Sequence, residues 1–225
     1  LKQIGFDLVF DTNFSADLTI MEEAQEFLGR LKEGKNLPLF TSCCPAWIRY
    51  METQHPDMLN HLSTCKSPQG MLSPVLKELV PQYFEGFTKD NIKVISIMPC
   101  TAKKAEAQRK ELEGETDVVL TTYEIAKMIK SAGINFAELE PTNGDSPFEQ
   151  YSGAATIFGA SGGVAEAALR TAYYMVTNEP LKDVDIIQTR GVDKNSRQKN
   201  VEVDINGTKV KVRIVSTLKE AEKTL

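Results

Sequence analysis

Cysteine is scarce in this chain: Cys43, Cys44, Cys65 and Cys100 are the only four among 225 residues. A secreted disulfide scaffold is short and cysteine-dense, so that class is excluded. The adjacent Cys43 and Cys44 cannot easily pair with each other in a relaxed backbone, and reduced thiols are expected. No Cys-x-x-Cys pair occurs, and the two histidines, His55 and His61, do not fall at metal-ligand spacing. Basic residues are not in excess: 26 Lys and Arg stand against 31 Asp and Glu, a formal net charge of −5. The clustered positive face of a nucleic-acid partner is therefore not expected. No apolar run reaches the length of a membrane span, and Leu1-Lys2-Gln3-Ile4-Gly5-Phe6 lacks the pattern of a signal peptide. That opening reads as the inside of a domain, so the chain is expected to belong to a longer one. Internal repeats and low-complexity tracts are also missing.

What is present suffices for a core: 41% of the residues are hydrophobic, enough for one large domain or two lobes. Apolar runs alternate with helical patterns, which argues for an α/β class. Strands are expected at Phe6–Phe10, Leu37–Phe40, Val94–Met98, Val118–Leu120 and Asp185–Ile187. A first helix is expected to open on a capping box of Thr19 and Glu22 and to bury Ile20, Ala24, Phe27 and Leu31. A second capping box, Thr121 with Glu124, predicts a helix stopped near Gly133. Residues 141–152 read as a loop, and a small-residue helix is expected from Gly163. Val201–Ile205 and Val210–Ile214 alternate strictly around Asn206-Gly207, the signature of a hairpin. A seam near residues 80–90 would divide the chain into lobes at 1–85 and 86–225.

Two expected strands end at a cysteine that leads into a helix. Pro45, suited to a first helical position, places Cys44 about at an N-cap. Cys100 similarly precedes an Ala/Lys/Glu-rich stretch. A helix N-terminus presents free N–H groups and partial positive charge, which favour thiolates and anionic clusters. Sites in open α/β sheets collect at the carboxyl ends of strands. Cys44 and Cys100 are thus the candidate metal or redox thiolates. The competing reading is that a cysteine is simply a small buried hydrophobe, and Cys65 is read that way. Spacing does not distinguish iron–sulfur from zinc here.

Thr41-Ser42-Cys43-Cys44-Pro45-Ala46-Trp47 and Met98-Pro99-Cys100-Thr101-Ala102-Lys103-Lys104-Ala105-Glu106 resemble two signatures of the [FeFe] (iron-only) hydrogenase catalytic domain. The resemblance runs from Phe6-Asp7-Leu8-Val9-Phe10 through Gly162-Gly163-Val164 to the hairpin. It implies the iron hydrogenase large-subunit fold: two lobes of mainly parallel twisted sheets flanked by helices, with a C-terminal hairpin. It also implies an H-cluster, a [4Fe-4S] cubane held by four cysteines and joined to a two-iron centre carrying CO and cyanide. By motif match Cys44 and Cys100 are two of the four. The others belong to a Cys-x-x-x-Cys signature expected beyond the hairpin. With no cysteine after Cys100, the isolated chain is expected to be inactive, and an apo form with no cluster is an alternative.

The same resemblance assigns Cys43 to proton transfer, with Glu23, Ser63, Glu26 and Arg30 continuing the path. Glu23, Glu26 and Arg30 share one helical stripe, which could equally be a solvated charged face. Lys103 is implied as a donor to cyanide. Ser67, Pro68 and Gln69 would line the two-iron centre, and Met98 and Phe158 would be its apolar walls. Glu106 is expected to brace its loop by pairing with a lysine. Phe158-Gly159-Ala160-Ser161-Gly162-Gly163 is not a dinucleotide fingerprint, and close backbone packing is its expected use. The implied activity is ferredoxin-type reduction of protons to H2. The implied partners are ferredoxin or another electron carrier, hydrogenase maturation proteins and the missing C-terminal segment. The implied place is the cytoplasm of an anaerobe, with a periplasmic location left open. Two other classes compete: a non-catalytic Narf-like iron–sulfur protein, which needs no Cys43, and a sensory domain, which would alter the relay.

Overall fold

The computed structural model describes residues 1–181, 195 and 197–225. In chain order its main elements are α1 (Asn13–Glu33), α2 (Pro45–Gln54), α3 (Pro68–Tyr83), β1 (Ile95–Met98), α4 (Ala102–Ala107), β2 (Val118–Thr121), α5 (Thr122–Ser131), α6 (Gly153–Thr156), α7 (Gly163–Thr177), β3 (Gln198–Ile205), β4 (Thr208–Val215) and α8 (Leu218–Glu222). The class is α/β, with one parallel and one antiparallel strand pair among the described residues. The expected strand at Asp185–Ile187 lies outside them. Two compact units are interleaved along the chain. One comprises Leu1–Ser15, Cys43–Ala46 and Lys66–Gln150; the other comprises Ala16–Ser42, Trp47–Cys65 and Tyr151–Leu225.

In the first unit, α3 starts where the chemistry asks it to. The Ser67 hydroxyl accepts from the Gly70 N–H, and Pro68, whose missing N–H costs nothing there, opens the helix. Leu72, Leu76 and Val80 recur at helical spacing and pack with Ile92, Val94 and Phe148. Phe148 meets Phe10 and Phe14 edge-on, at ring separations of 5.4 Å each. β1 and β2 pair in parallel, Ile95 beside Val118 through Met98 beside Thr121, with α4 in the crossover between them. The capping box at Thr121 and Glu124 is complete in both directions.

The expected strand at Phe6–Phe10 is not one. Its backbone is held instead by Asp145, whose carboxylate accepts from the Val9 N–H and whose own N–H donates to the Val9 carbonyl. One aspartate replaces the neighbouring strand. Leu37–Phe40, in the second unit, likewise shrinks to a single bridge between Phe40 and Leu62. The capping box at Thr19 is a further correction. The first helix begins six residues earlier, where the Asp11 carboxylate accepts from the Asn13 N–H, and Thr19 is buried mid-helix.

The second unit packs α7 and the buried face of α1 against the hairpin. Ala24, Leu169 and Ala172 join Val201, Val203, Ile205, Val210 and Ile214 in one core, with Phe27 and Leu31 against it. Val201, Val203 and Ile205 are buried while Glu202 and Asp204 point to water, the period-two alternation of a half-buried strand. Ile205 pairs with Thr208 across Asn206 and Gly207, both at positive φ (50° and 86°). That is the conformation an Asn-Gly hairpin turn needs. The glycine-rich approach to α7 serves close packing, because a Cβ on Gly163 would overlap the Ile157 carbonyl. Gly163→Ala is therefore expected to destabilise the fold by about 2–3 kcal/mol, measured as a lower urea midpoint at unchanged m-value. A midpoint equal to wild type would contradict the packing account.

Candidate functional site

Two groups of polar side chains stand out, one in each unit. In the first unit, Cys44 immediately precedes Pro45 at the start of α2, and Cys100 lies just ahead of Thr101, the N-cap of α4. Cys44 is exposed, and Cys43 and Cys100 are half-buried. The Lys103 ammonium donates to the Cys43 carbonyl at 3.0 Å and pairs with the Glu106 carboxylate at 2.9 Å. Both side chains are nearly buried, 12% and 9% exposed. The expected pairing of Glu106 with a lysine is thus present, and the lysine is Lys103. Its neighbour Lys104 turns to Glu124 instead.

Gln69 ties this group together. Its amide nitrogen donates to the Lys103 carbonyl at 3.2 Å and to Glu106 at 3.0 Å, and its amide oxygen accepts from Ser96 at 2.8 Å. A buried amide with all these bonds made is fixed in orientation. Gln69 therefore braces α4 against α3 and β1. Ser67 is spent on its helix cap, Pro68 opens α3, and Met98 closes β1 beside Thr121, half-buried. Phe158 sits in the second unit, half-buried in the Ile157–Gly159 turn before α7. Ser96 was not anticipated, although a lone hydroxyl among Ile95, Ile97 and Met98 is a visible irregularity in that strand.

The second unit gathers Glu23, Ser63, Glu26 and Arg30. Glu26 collects donors: Ser63 Oγ at 2.7 Å, Arg30 Nη2 at 2.6 Å and the Thr64 N–H at 3.0 Å. Burial opposes its charge, but the bonds from Ser63, Arg30 and Thr64 outweigh it and hold the carboxyl below the usual range. Arg30 also donates to the carbonyls of Asn36, Asn60, His61 and Leu62. Glu23, one turn away and 2% exposed, goes the other way. Burial first, then the charge of Glu26, pushes its pKa up to about 7, against bonds from Ser63 and the Ser42 backbone. One of its oxygens, Oε2, is buried with no partner.

Cys65 joins this group, which its reading as a mere buried thiol missed. Its Sγ lies 3.5 Å from Glu26 Oε2, and its N–H donates to Ser63 Oγ at 3.2 Å. Burial and the charges of Glu26 and Glu23 push the thiol up to about 11, against a bond with Ser63. The only available signal was its position two residues beyond Ser63, the same side of an extended segment.

The first arrangement, two cysteines each at the start of a helix with the nearly buried Lys103 against the Cys43 carbonyl, suits a class of metal-cluster or thiol redox proteins. The comparisons narrow it. The family described as iron only hydrogenase large subunit, C-terminal domain, matches residues 1–225, and the chain belongs to that family. It is 45% identical over 220 residues to iron hydrogenase 1 of Clostridium pasteurianum, covering 96% of this chain and 38% of that protein. An apo [FeFe]-hydrogenase structure from Chlamydomonas reinhardtii superposes with a TM-score of 0.76 at 37% identity, covering 98% of this chain and 63% of that one. The chain is also 34% identical over 207 residues to cytosolic iron–sulfur assembly component 3 of Bos taurus, covering 82% of this chain and 43% of the relative. The chain thus spans about two fifths of the curated relatives it matches. No described helix is long and apolar enough to cross a membrane.

The raised pKa of Glu23 makes folding pH-dependent. The folded state keeps the proton that the unfolded carboxyl loses near its ordinary value of 4.5. The favourable contribution is complete below that value and is lost as pH rises through about 7. Urea unfolding at pH 5 and pH 8 should show it. Glu23→Gln is expected to gain on wild type by roughly 3 kcal/mol across that range. A constant difference between the two proteins would contradict the assignment.

Proposed function

We propose that this chain is part of the catalytic domain of an [FeFe] hydrogenase, in which the whole enzyme interconverts protons and H2 by 2H⁺ + 2e⁻ ⇌ H2. Electrons are delivered by ferredoxin or a similar carrier. The observation that carries the reading is Lys103. It is a nearly buried ammonium three positions after Cys100, held 3.0 Å from the carbonyl of Cys43, the residue next to Cys44. An ammonium has three donors. Cys43 and Glu106 take two, and the third suits an anionic ligand such as cyanide.

A cubane takes four thiolates. Cys44 and Cys100 supply two, and among the described residues no group of three or more His, Cys, Asp and Glu side chains gathers for a metal. The fit is to half a site. When bound, the H-cluster supplies the redox chemistry and the hydrogen–hydrogen bond. In this reading Cys44 and Cys100 ligate it. Ser67, Pro68 and Gln69 shape the pocket, with Gln69 acting through Lys103 and Glu106. Met98 and Phe158 keep water out. Cys43 hands on protons, and Glu23, Ser63, Glu26 and Arg30 form their path. Glu23 near 7 is matched to neutral pH, where a proton carrier works best. Arg30 fixes Glu26 through its 2.6 Å bond.

The likeness to cytosolic iron–sulfur assembly component 3 supports a second reading, cluster binding without hydrogen chemistry. Anaerobic reconstitution with iron and sulfide separates the possibilities. Cys44→Ala and Cys100→Ala are each expected to lose most of the iron and acid-labile sulfide that wild type retains. Wild-type iron in both variants would sink the ligand assignment. In the full-length enzyme loaded with its whole H-cluster, Cys43→Ser is expected to keep its iron while H2 evolution from reduced viologen falls about 100-fold or more. No H2 from the full-length wild-type enzyme so loaded selects the second reading.

A further inference from the structure

Cys65 is the thiol to which the proposed chemistry gives no task, yet it touches the centre of the carboxylate group twice. Its Sγ lies 3.5 Å from Glu26 Oε2, the same oxygen that receives the Ser63 hydroxyl at 2.7 Å. Its N–H donates to the Ser63 oxygen at 3.2 Å, and its carbonyl is anchored by the Ser42 hydroxyl at 2.7 Å. Cys65 therefore holds both ends of one hydrogen bond.

A serine hydroxyl carries one proton and two lone pairs. For a proton to cross from Glu23 to Glu26, the Glu23 O–H breaks and a bond to Ser63 Oγ forms. The original Ser63 O–H breaks as an O–H on Glu26 forms, with no change in oxidation state. Ser63 then points its proton at Glu23, and it must swing back before the next transfer. During that interval Glu26, once it has passed its proton on, is a half-buried carboxylate without its Ser63 donor. Leaving such a group unsatisfied is costly. The thiol and the Thr64 N–H are the donors still in place at that oxygen. Meanwhile the Cys65 N–H keeps the Ser63 oxygen still while its hydrogen moves. The unpartnered, buried Oε2 of Glu23 is independent evidence that the group is built to exchange a proton, since a static network would have satisfied it.

We propose that Cys65 is a positioning residue of this relay: its S–H substitutes for Ser63 at Glu26 while its N–H pins the Ser63 oxygen. This rests on the hydrogenase reading for its purpose, though not for its geometry. The elevated thiol pKa agrees, because the sulfur stays a protonated donor across the working range.

Infrared spectroscopy of the chain reads the contact directly, in the S–H stretching region where other protein groups do not absorb. Cys65→Ala identifies the Cys65 band. That band is expected to be displaced from the position of an exposed thiol and to return towards it in Glu26→Gln. A band at the exposed-thiol position, indifferent to Glu26→Gln, overturns the proposal. In the loaded protein, Cys65→Ala is expected to keep its iron, lose several-fold in H2 evolution and move the acid limb of the pH profile upward. Cys65→Ser, which retains a donor, is expected to restore most of the rate. An unchanged profile in Cys65→Ala overturns the role as well. A fully loaded, full-length wild-type enzyme that makes no H2 instead refutes the hydrogenase reading, and the infrared band then decides the contact alone.

Discussion

A carboxylate taken out of water must either find donors or give up its charge, and the second unit does both within one helical turn. Glu26 is supplied with Ser63, Arg30 and Thr64, so it stays ionised despite burial. Glu23 faces the same loss of water with fewer donors and a charged neighbour, so it holds a proton near neutral pH. The difference between them is made by the segment around residues 60–65, whose backbone supplies an N–H to Glu26 and carbonyls to Arg30. Without that segment the stripe on α1 would be the solvated face that its composition suggests. With it, two chemically identical side chains have opposite protonation preferences.

The first unit solves a related problem with an ammonium. Lys103 is nearly buried and compensated by Glu106, a carbonyl and the Gln69 brace. A nearly buried ion pair contributes little net stability. Its value is that the ammonium is held beside the Cys43–Cys44 backbone at a fixed place. The cost of placing it is borne by Gln69, Ser96 and α3, whose start is secured by its serine and proline.

Much of this was legible in the residues. The hairpin, the capping box of α5, the strands ending near Cys100 and Thr121 and the helix at Gly163 all follow from local rules that the fold does not override. The misreadings share one cause. Phe6–Phe10 and Leu37–Phe40 have strand-like composition, but a strand exists only where another lies beside it, and Asp145 took that place for Val9. Thr19 and Glu22 have capping-box spacing, but Asp11 offered an earlier start. At the site, the motif cysteines and Lys103 were visible because short signatures carry them. Cys65 and Ser96 were not, because their partners, Glu26 and Gln69, lie 39 and 27 positions away in sequence.

The grip of Arg30 has a consequence for the chain's architecture. Its guanidinium holds the Asn36 carbonyl on one side and those of Asn60, His61 and Leu62 on the other. The stretch between, which includes the adjacent cysteines and all of α2, is therefore closed by this side chain together with the Phe40–Leu62 bridge. Closing a loop costs entropy that grows only logarithmically, about 0.6 kcal/mol for each doubling of length. The closure itself would thus tolerate a change in length at little entropic cost, whereas the content is constrained by Met51, which is fully buried. The boundary of the stretch is set by hydrogen bonds accepted by backbone carbonyls, which no substitution at positions 36 or 60–62 would directly remove, because every residue keeps its carbonyl.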